Sequence, residues 1–249
     1  MSARGRSVLA AALALLSACS GPEYPPTPPG DHPLGPVFLV HGSWPDFAGL
    51  WADDMAEALR ARGIEGVLVP CFMLVGLGTG APGERIAAFE AQLRYRHART
   101  DCAAPLRLGG VGYSSGTDVL LVAAEEGAQL ERVVFGGSPL SLWNGDLEDQ
   151  LVAGRIEHLV NYFSPFDGLV WITFGSGQYG YHTGGSGQPR VDNRVHFWLH
   201  VTPLFNRDGY VEEVVEDLAR LEGPRHTCYA DPDYRAWYED ARERLRSDW

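Results

Sequence analysis

The most informative absence in this sequence is lysine, because all 20 of its lysine-or-arginine positions are arginine. Schiff-base chemistry, a phosphate-binding P-loop and a serine–lysine catalytic pair are excluded, since each of them requires a lysine side chain. The sequence also lacks HExxH and paired-cysteine spacings, and it therefore predicts no metal site. Its formal net charge of −12 is unfavourable for contact with nucleic acid or with anionic lipid.

The N-terminal apolar run, Val8 to Leu16, is too short to span a bilayer. It follows two arginines, as in a secretory signal peptide, and it leads into Leu-Ser-Ala-Cys ending at Cys19. This stretch resembles the lipobox of bacterial lipoproteins, which implies removal of residues 1–18 and a lipid anchor on Cys19. Ser20, in place of an aspartate, favours the outer over the inner membrane by the same resemblance. The alternative is an ordinary signal peptide, or a short buried helix, with an unrelated cysteine.

The next segment, residues 19–36, is a proline-rich tether. Seven prolines between residues 21 and 36 exclude a helix or a central strand and predict an extended spacer. The remaining chain, residues 37–249, has the length of one α/β domain with a large core.

Apolar runs and segments of helical period alternate along residues 37–249, which predicts parallel strands joined by helical crossovers. We therefore expect an α/β fold with a doubly wound, mainly parallel sheet and helices on both faces. Functional residues should lie at the carboxyl ends of the strands. The predicted strands are 36–42, 66–73, 105–114, 130–138, 157–167 and 194–200, and the predicted helices are 47–63, 84–99, 116–129, 210–223 and 233–246.

The segment Gly112 to Gly116 reads G-x-S-x-G around Ser114. A chain with 30 glycines can contain this motif by chance, and its context therefore decides its meaning. Here an apolar strand precedes Ser114 and a helix follows it, as in a nucleophile elbow. In this respect the chain resembles the α/β-hydrolase superfamily, which implies that Ser114 is a nucleophile followed along the chain by an acid and then a histidine.

The acid is expected at the end of a later strand, where Asp167 ends the predicted strand 157–167 and precedes a loop. Asp146, after the preceding strand, and Asp192 are the alternatives. A capping role in the loop would also explain Asp167.

For the histidine we expect His200, at the carboxyl end of the predicted strand 194–200 and on the loop that follows it. A loop position lets the imidazole reach both the acid and the serine. His196 and His182 remain alternatives. His196 and His200 could not share a metal ion, because residues four apart on a strand are separated by roughly 13 Å.

An oxyanion hole requires backbone N–H donors placed in advance of the reaction. The resemblance to α/β-hydrolases implies that the amide of Ser115 is one donor. The second is expected from the turn after the first strand, where His41-Gly42 resembles the His-Gly turn of the family and Ser43 supplies the amide. The alternative is a simple strand-to-helix turn.

Two structural expectations complete the prediction. About 18 residues separate the strand ending at Ser138 from the next one, which leaves room only for a small lid or none. We expect Cys102 and Cys228 to lie at the edge of the sheet opposite the active site, which favours a disulfide between them. Cys71 is expected to be free.

These observations predict a membrane-tethered serine hydrolase that acts on an ester, or on a thioester or amide, through Ser114, Asp167 and His200. A small-molecule or lipid acyl group would be the substrate, and no cofactor is needed. The alternative is a catalytically silent protein of the same fold that binds a partner or has a structural role in the cell envelope, because fold alone does not determine function.

Overall fold

The computed structural model describes residues 32–42, 45–69, 80–100, 102, 104–138, 145–164, 167, 191–195, 207–223 and 228–247, with backbone alone for 45–50, 207–208 and 247. Within these ranges the strands are β1 (Val37–Val40), β2 (Gly66–Val69), β3 (Gly109–Tyr113), β4 (Leu130–Gly136), β5 (Ile156–Phe163) and β6 (Val191–Val195). The helices are α1 (Pro45–Ala61), α2 (Gly80–Arg99), α3 (Gly116–Glu125), α4 (Gly145–Val152), α5 (Arg207–Ala219) and α6 (Pro232–Ser247), and a 3₁₀ helix spans Cys228–Ala230.

The strands form one sheet in the order β2-β1-β3-β4-β5-β6, and every neighbouring pair is parallel. The chain passes from β1 to β2 on one side of β1, and it then crosses back to β3 on the other side of β1. This reversal leaves a crevice between the carboxyl ends of β1 and β3, where open α/β sheets bind their ligands. The predicted parallel, doubly wound α/β architecture is confirmed.

Strand side chains alternate between two apolar cores, one on each face of the sheet. In β1, Val37 and Leu39 pack with α1 and α5, whereas Phe38 and Val40 pack with α2, α3 and α6. All four side chains are buried. Helices therefore cover both faces, as the sequence pattern predicted.

Several element boundaries differ from the predictions. The helix predicted over 116–129 ends at Glu125, because Gly127 adopts a positive φ of 107° that ends the helix. The strand predicted over 194–200 begins earlier, at Val191, and residues 196–200 lie outside the described residues. Helix α4 was not predicted, since it has only eight residues, mostly polar.

Cys102 and Cys228 are joined by a disulfide, the pairing that the sequence favoured, with their Cα atoms 5.0 Å apart. The bond ties the segment before β3 to the 3₁₀ helix before α6, on the amino-terminal side of the sheet. Cys19 and Cys71 lie outside the described residues. No helix in the described part of the chain combines the length and the apolar character needed to cross a membrane.

The last residues of the expected tether contact the domain. Leu34 is buried, the Gly35 N–H donates to the Arg107 carbonyl oxygen at 2.5 Å, and His32 Nε2 lies 3.1 Å from the Ala219 carbonyl oxygen. The segment from His32 to Gly35 therefore packs against the folded body. Residues 1–31 lie outside the described residues.

Candidate active site

Ser114 occupies the turn between β3 and α3 with a φ of 53°, and no other non-glycine residue in the described ranges has a positive φ. The left-handed conformation costs an L-residue about 1–2 kcal/mol. A serine held in this conformation between a strand and a helix is the geometry of a nucleophile elbow, which exposes the hydroxyl at the edge of the sheet.

Both glycines of the G-x-S-x-G motif are required by close backbone contacts. A Cβ atom on Gly112 would lie 2.8 Å from the Gly116 carbonyl oxygen and 2.9 Å from the Thr117 Cα. A Cβ atom on Gly116 would overlap the carbonyl oxygen of Val40, at the end of β1. The two glycines therefore allow β1, β3 and α3 to approach closely enough to form the turn.

Hydrogen bonds hold the turn in place. The Ser114 N–H donates to the Gly136 carbonyl oxygen at 2.8 Å, and the Ser114 carbonyl oxygen accepts from the Thr117 N–H at 3.0 Å and the Thr117 hydroxyl at 2.7 Å. Thr117 Oγ1 also lies 2.9 Å from Ser138 Oγ, just after β4, and both hydroxyls are buried. Sequence reasoning missed Thr117 and Ser138, whose only signal was a polar residue at the start of a helix and another at the end of a strand.

The turn after β1 lies directly against the serine. A Cβ atom on Gly42 would lie 2.7 Å from Ser114 Cβ and 3.2 Å from Ser114 Oγ. Ser115, buried, immediately precedes the first residue of α3, where the backbone N–H groups of a helix point outward and favour negative charge. Ser43, the other expected oxyanion donor, lies outside the described residues.

His41 lies beside this turn, and its Nδ1 donates to the Gly42 carbonyl oxygen at 2.9 Å. Burial lowers the pKa of His41, and the backbone hydrogen bond opposes this effect only in part. A pKa below the ordinary value of 6.5 keeps the imidazole neutral at pH 7. A neutral ring places no positive charge beside Ser114.

Asp167 is buried, and its N–H donates to the Ser164 carbonyl oxygen at 3.2 Å, just after β5. The pKa of Tyr113 is raised well above its ordinary value, first by burial, then by Tyr210, and then by the charge of Asp167. Asp167 follows the carboxyl end of β5 and Ser114 follows that of β3, and the described strands of this sheet are all parallel. Asp167 and Ser114 therefore lie at the same edge of the sheet.

The two alternative acids lie elsewhere. Asp146 is in the first turn of α4, and its charge contributes, after burial, to the raised pKa of Glu125. Glu125 ends α3, roughly 15 Å along the helix from the elbow. Asp192 is the second residue of β6, away from the carboxyl end, and it forms an ion pair with Arg194 at 3.0 Å.

The three histidines considered for the triad, His200, His196 and His182, lie outside the described residues. Among the described residues, His158 is in the amino-terminal half of β5 and His97 lies beside the disulfide. The structure therefore places the elbow serine against the Gly42 turn and Asp167 at the same edge of the sheet, while the roles of Asp167 and His200 stay predictions.

A parallel sheet with helices on both faces, and a serine in a strand-to-helix turn at its reversal point, is the architecture of the α/β-hydrolase fold. Three solved structures with this architecture are similar to the chain. A cold-adapted esterase from an Arctic intertidal metagenomic library, with polyethylene glycol bound, superposes with a TM-score of 0.51 at 19% identity, covering 76% of this chain and 84% of the esterase. Dienelactone hydrolase from Anabaena variabilis gives 0.51 at 18% identity, with coverage of 76% and 86%.

An esterase from Pyrococcus furiosus likewise gives a TM-score of 0.51 at 16% identity, with 79% of this chain and 84% of the esterase covered. At these identities the similarity establishes the fold alone. No protein-family model matches the chain, and no curated protein matches it either.

Proposed function

We propose that this protein is a serine hydrolase that cleaves a carboxylic ester, or a thioester or amide, through an acyl-enzyme on Ser114. The observation that carries the proposal is the left-handed conformation of Ser114, whose side chain lies against the Gly42 turn in the crevice between β1 and β3. A strained backbone at a ligand-binding edge is characteristic of a functional residue rather than of a structural turn.

The proposed reaction begins when His200 accepts the proton of Ser114 and the serine oxygen attacks the acyl carbon. Asp167 orients the imidazole and stabilises its positive charge. The amides of Ser115 and Ser43 bind the oxyanion of the tetrahedral intermediate. The leaving alcohol then departs with the proton held by His200, and a water molecule, activated by the same histidine, releases the acid and restores Ser114.

Asp167 is preferred as the acid because it is buried just after the carboxyl end of β5, at the edge of the sheet that carries Ser114, whereas Asp146 is exposed in the first turn of α4. An ester is preferred as the substrate because two of the three similar structures are named esterases and the third is named dienelactone hydrolase. A small-molecule or lipid acyl group fits this assignment.

The proposal also includes a membrane tether. The lipobox-like sequence before Cys19 supports lipidation of that cysteine, and the proline-rich segment behind it supports an extended spacer between the lipid and the domain. Ser20 after that cysteine supports an outer-membrane rather than an inner-membrane location. The domain itself needs no contact with the bilayer.

The nucleophile can be tested by labelling the purified protein with a fluorescent fluorophosphonate, which reacts with activated serine hydroxyls. We expect stoichiometric labelling of the wild type, none of Ser114→Ala, and retained labelling of Ser115→Ala, which keeps the backbone amide. The adjacent serine is a matched control, because Ser115→Ala removes the same hydroxyl group one residue further along the chain.

Two results would contradict the proposal. Absence of labelling in the folded wild type would favour a catalytically silent binding protein. Equal labelling of Ser114→Ala and wild type would place the reactive group elsewhere. If Ser114 is labelled as expected, hydrolysis of p-nitrophenyl esters of increasing chain length would define the acyl group.

A further inference from the structure

A second cluster of reactive side chains lies on the amino-terminal side of the sheet, away from Ser114. Cys228 Sγ lies 3.1 Å from His97 Nδ1, near the end of α2, and Cys102 is bonded to Cys228. One ring nitrogen of His97 and both sulfur atoms all lie within 4.8 Å of one another. These atoms form a disulfide with an imidazole beside it. An imidazole and two sulfurs at this separation are also a set of metal ligands.

The hydrogen bonding of His97 favours the metal-binding form of its ring. His97 Nε2 lies 2.8 Å from the Ala104 carbonyl oxygen, which can only accept, and Nε2 must therefore carry the proton. In the neutral ring this leaves the lone pair on Nδ1, the atom that faces Cys228. Metal-binding histidines are held in this way, with one nitrogen donating to a backbone carbonyl and the other directed at the metal.

We propose that reduction of the Cys102–Cys228 disulfide converts this cluster into a zinc site with His97 Nδ1 and the two thiolates as protein ligands. The cluster then has two exclusive states, a disulfide under oxidising conditions and a Zn²⁺ complex under reducing ones. This site is independent of the function proposed for Ser114.

The conversion balances with a dithiol as reductant. The dithiol gives two electrons and two protons to the disulfide and becomes a disulfide itself. Binding of Zn²⁺ then releases the two thiol protons, because the metal is bound by thiolates. Tetrahedral zinc–sulfur bonds of about 2.3 Å separate the sulfurs by roughly 3.8 Å, a side-chain movement of roughly 1 Å for each cysteine.

The ligand set selects the class of cation. Two thiolates and an imidazole suit Zn²⁺ and similar thiophilic ions, whereas Ca²⁺ and Mg²⁺ require oxygen ligands. Cys228 is buried, whereas Cys102 and His97 are only partly buried. Water can therefore supply the fourth ligand. The sequence did not predict this site because residues 97, 102 and 228 form no compact motif.

The test uses Co²⁺ as a spectroscopic substitute for Zn²⁺ in the full chain carrying Cys19→Ser and Cys71→Ser, which removes the other two thiols. After reduction with a phosphine and removal of the reductant under argon, Co²⁺ is titrated against absorbance. We expect one Co²⁺ per chain, with thiolate charge-transfer absorption and tetrahedral ligand-field bands, and their loss on addition of Zn²⁺. The oxidised protein should give none of these signals.

Matched variants assign the ligands. His97→Gln should weaken Co²⁺ binding at least roughly tenfold, Cys102→Ser should remove about half of the charge-transfer intensity, and His158→Gln should change neither. Should the reduced protein lose its far-ultraviolet circular dichroism, Co²⁺ should restore it, because metal binding is coupled to folding. Four results would each overturn the proposal. They are failure of Co²⁺ to restore the circular dichroism, Co²⁺ binding by the oxidised protein, no Co²⁺ binding by the reduced protein, and a Co²⁺ affinity in His97→Gln equal to that of the protein with His97.

Discussion

Gly116 is the residue of the elbow at which an added methyl group would overlap backbone most severely, at the carbonyl oxygen of Val40. We expect Gly116→Ala to lower the free energy of unfolding by about 3 kcal/mol, because β1 and α3 must separate to relieve the overlap. Urea denaturation followed by circular dichroism measures this change. Fluorophosphonate labelling of Ser114 should fall at the same time, since the turn is displaced.

The matched control for this prediction is Gly145, the first residue of α4, where an added Cβ atom would meet nothing within 4 Å. Gly145→Ala should leave the free energy of unfolding unchanged or raise it by up to about 1 kcal/mol, because alanine favours the helix. Equal losses in the two variants would show that the close contact at Gly116 is not the cause.

Asp118 offers a second test at the scale of one residue, because burial and, secondarily, Glu125 raise its pKa from 3.8 to about 6. The folded protein then retains a proton that the unfolded chain has lost between these two values. The charged carboxylate therefore destabilises the fold, fully above about pH 6 and not at all below 3.8.

We expect Asp118→Asn to raise the free energy of unfolding by about 1–2 kcal/mol at pH 8, with the gain disappearing towards pH 4. The shift itself sets an upper limit of about 3 kcal/mol, and the helix N-terminus, which favours negative charge, reduces the gain. Urea denaturation across this pH range measures the difference, with the exposed Asp149→Asn as control. A gain that is independent of pH would contradict the assignment.

The elbow was predictable from the sequence because its two glycines and its serine are neighbours along the chain. The contacts that complete it were not. Gly42 meets the Ser114 side chain from β1, and Ser138 reaches Thr117 from β4. No local pattern encodes these contacts, since they depend on the order of strands in the sheet.

At the scale of elements, the edge strand β6 is attached to α5 by a buried charge. The Asp217 side chain, only 2% exposed, accepts from Arg194 Nη2 at 2.7 Å and from the Tyr162 hydroxyl at 2.5 Å. Arg220 Nη1 also approaches the Asp217 carboxylate, at 3.5 Å. The carboxylate therefore links β5, β6 and α5, and the last two of these flank the segment that contains His200.

We expect Arg194→Met to lower the free energy of unfolding by about 3 kcal/mol, because it removes a close partner from a buried charge. Arg220→Met should cost at most about 1 kcal/mol, since the Arg220 side chain is 61% exposed, against 25% for Arg194, and water screens its charge. Parallel urea titrations compare the two variants. Losses of equal size would mean that burial does not set the strength of these pairs.

The elements that the sequence predicted best are those with a continuous apolar signal, such as β1 and β4, which are largely buried. Strand β6 carries no such signal, because its residues Val191–Val195 are only partly buried or exposed and three of them are polar. Helix α2 begins at Gly80, four residues before its predicted start. The prediction began too late because Pro82 suggested a helix breaker, although proline is compatible with the first turn of a helix.

At the scale of the whole molecule, sheet topology explains why distant residues could be placed together. Parallel strands bring every carboxyl end to one edge, which predicted that Ser114 and Asp167 would lie at the same edge of the sheet. The same argument favoured the Cys102–Cys228 pair across 126 residues of sequence. Sheet topology could not predict that His97 lies beside this disulfide, because a helix position alone does not indicate which side chains surround the end of the helix.

The acidic body and the lipobox-like N-terminus make one joint prediction about location. With a formal net charge of −12, the domain should be repelled by anionic lipid, and membrane association should depend on Cys19 alone. We expect Cys19→Ser to move the protein from the membrane fraction to the soluble fraction of lysed cells, with fluorophosphonate labelling unchanged. Cys71→Ser is the control that alters a cysteine outside the lipobox. Retention of the Cys19→Ser protein in the membrane fraction after a high-salt wash would contradict the tether, and loss of labelling would show that the N-terminus contributes to the active site.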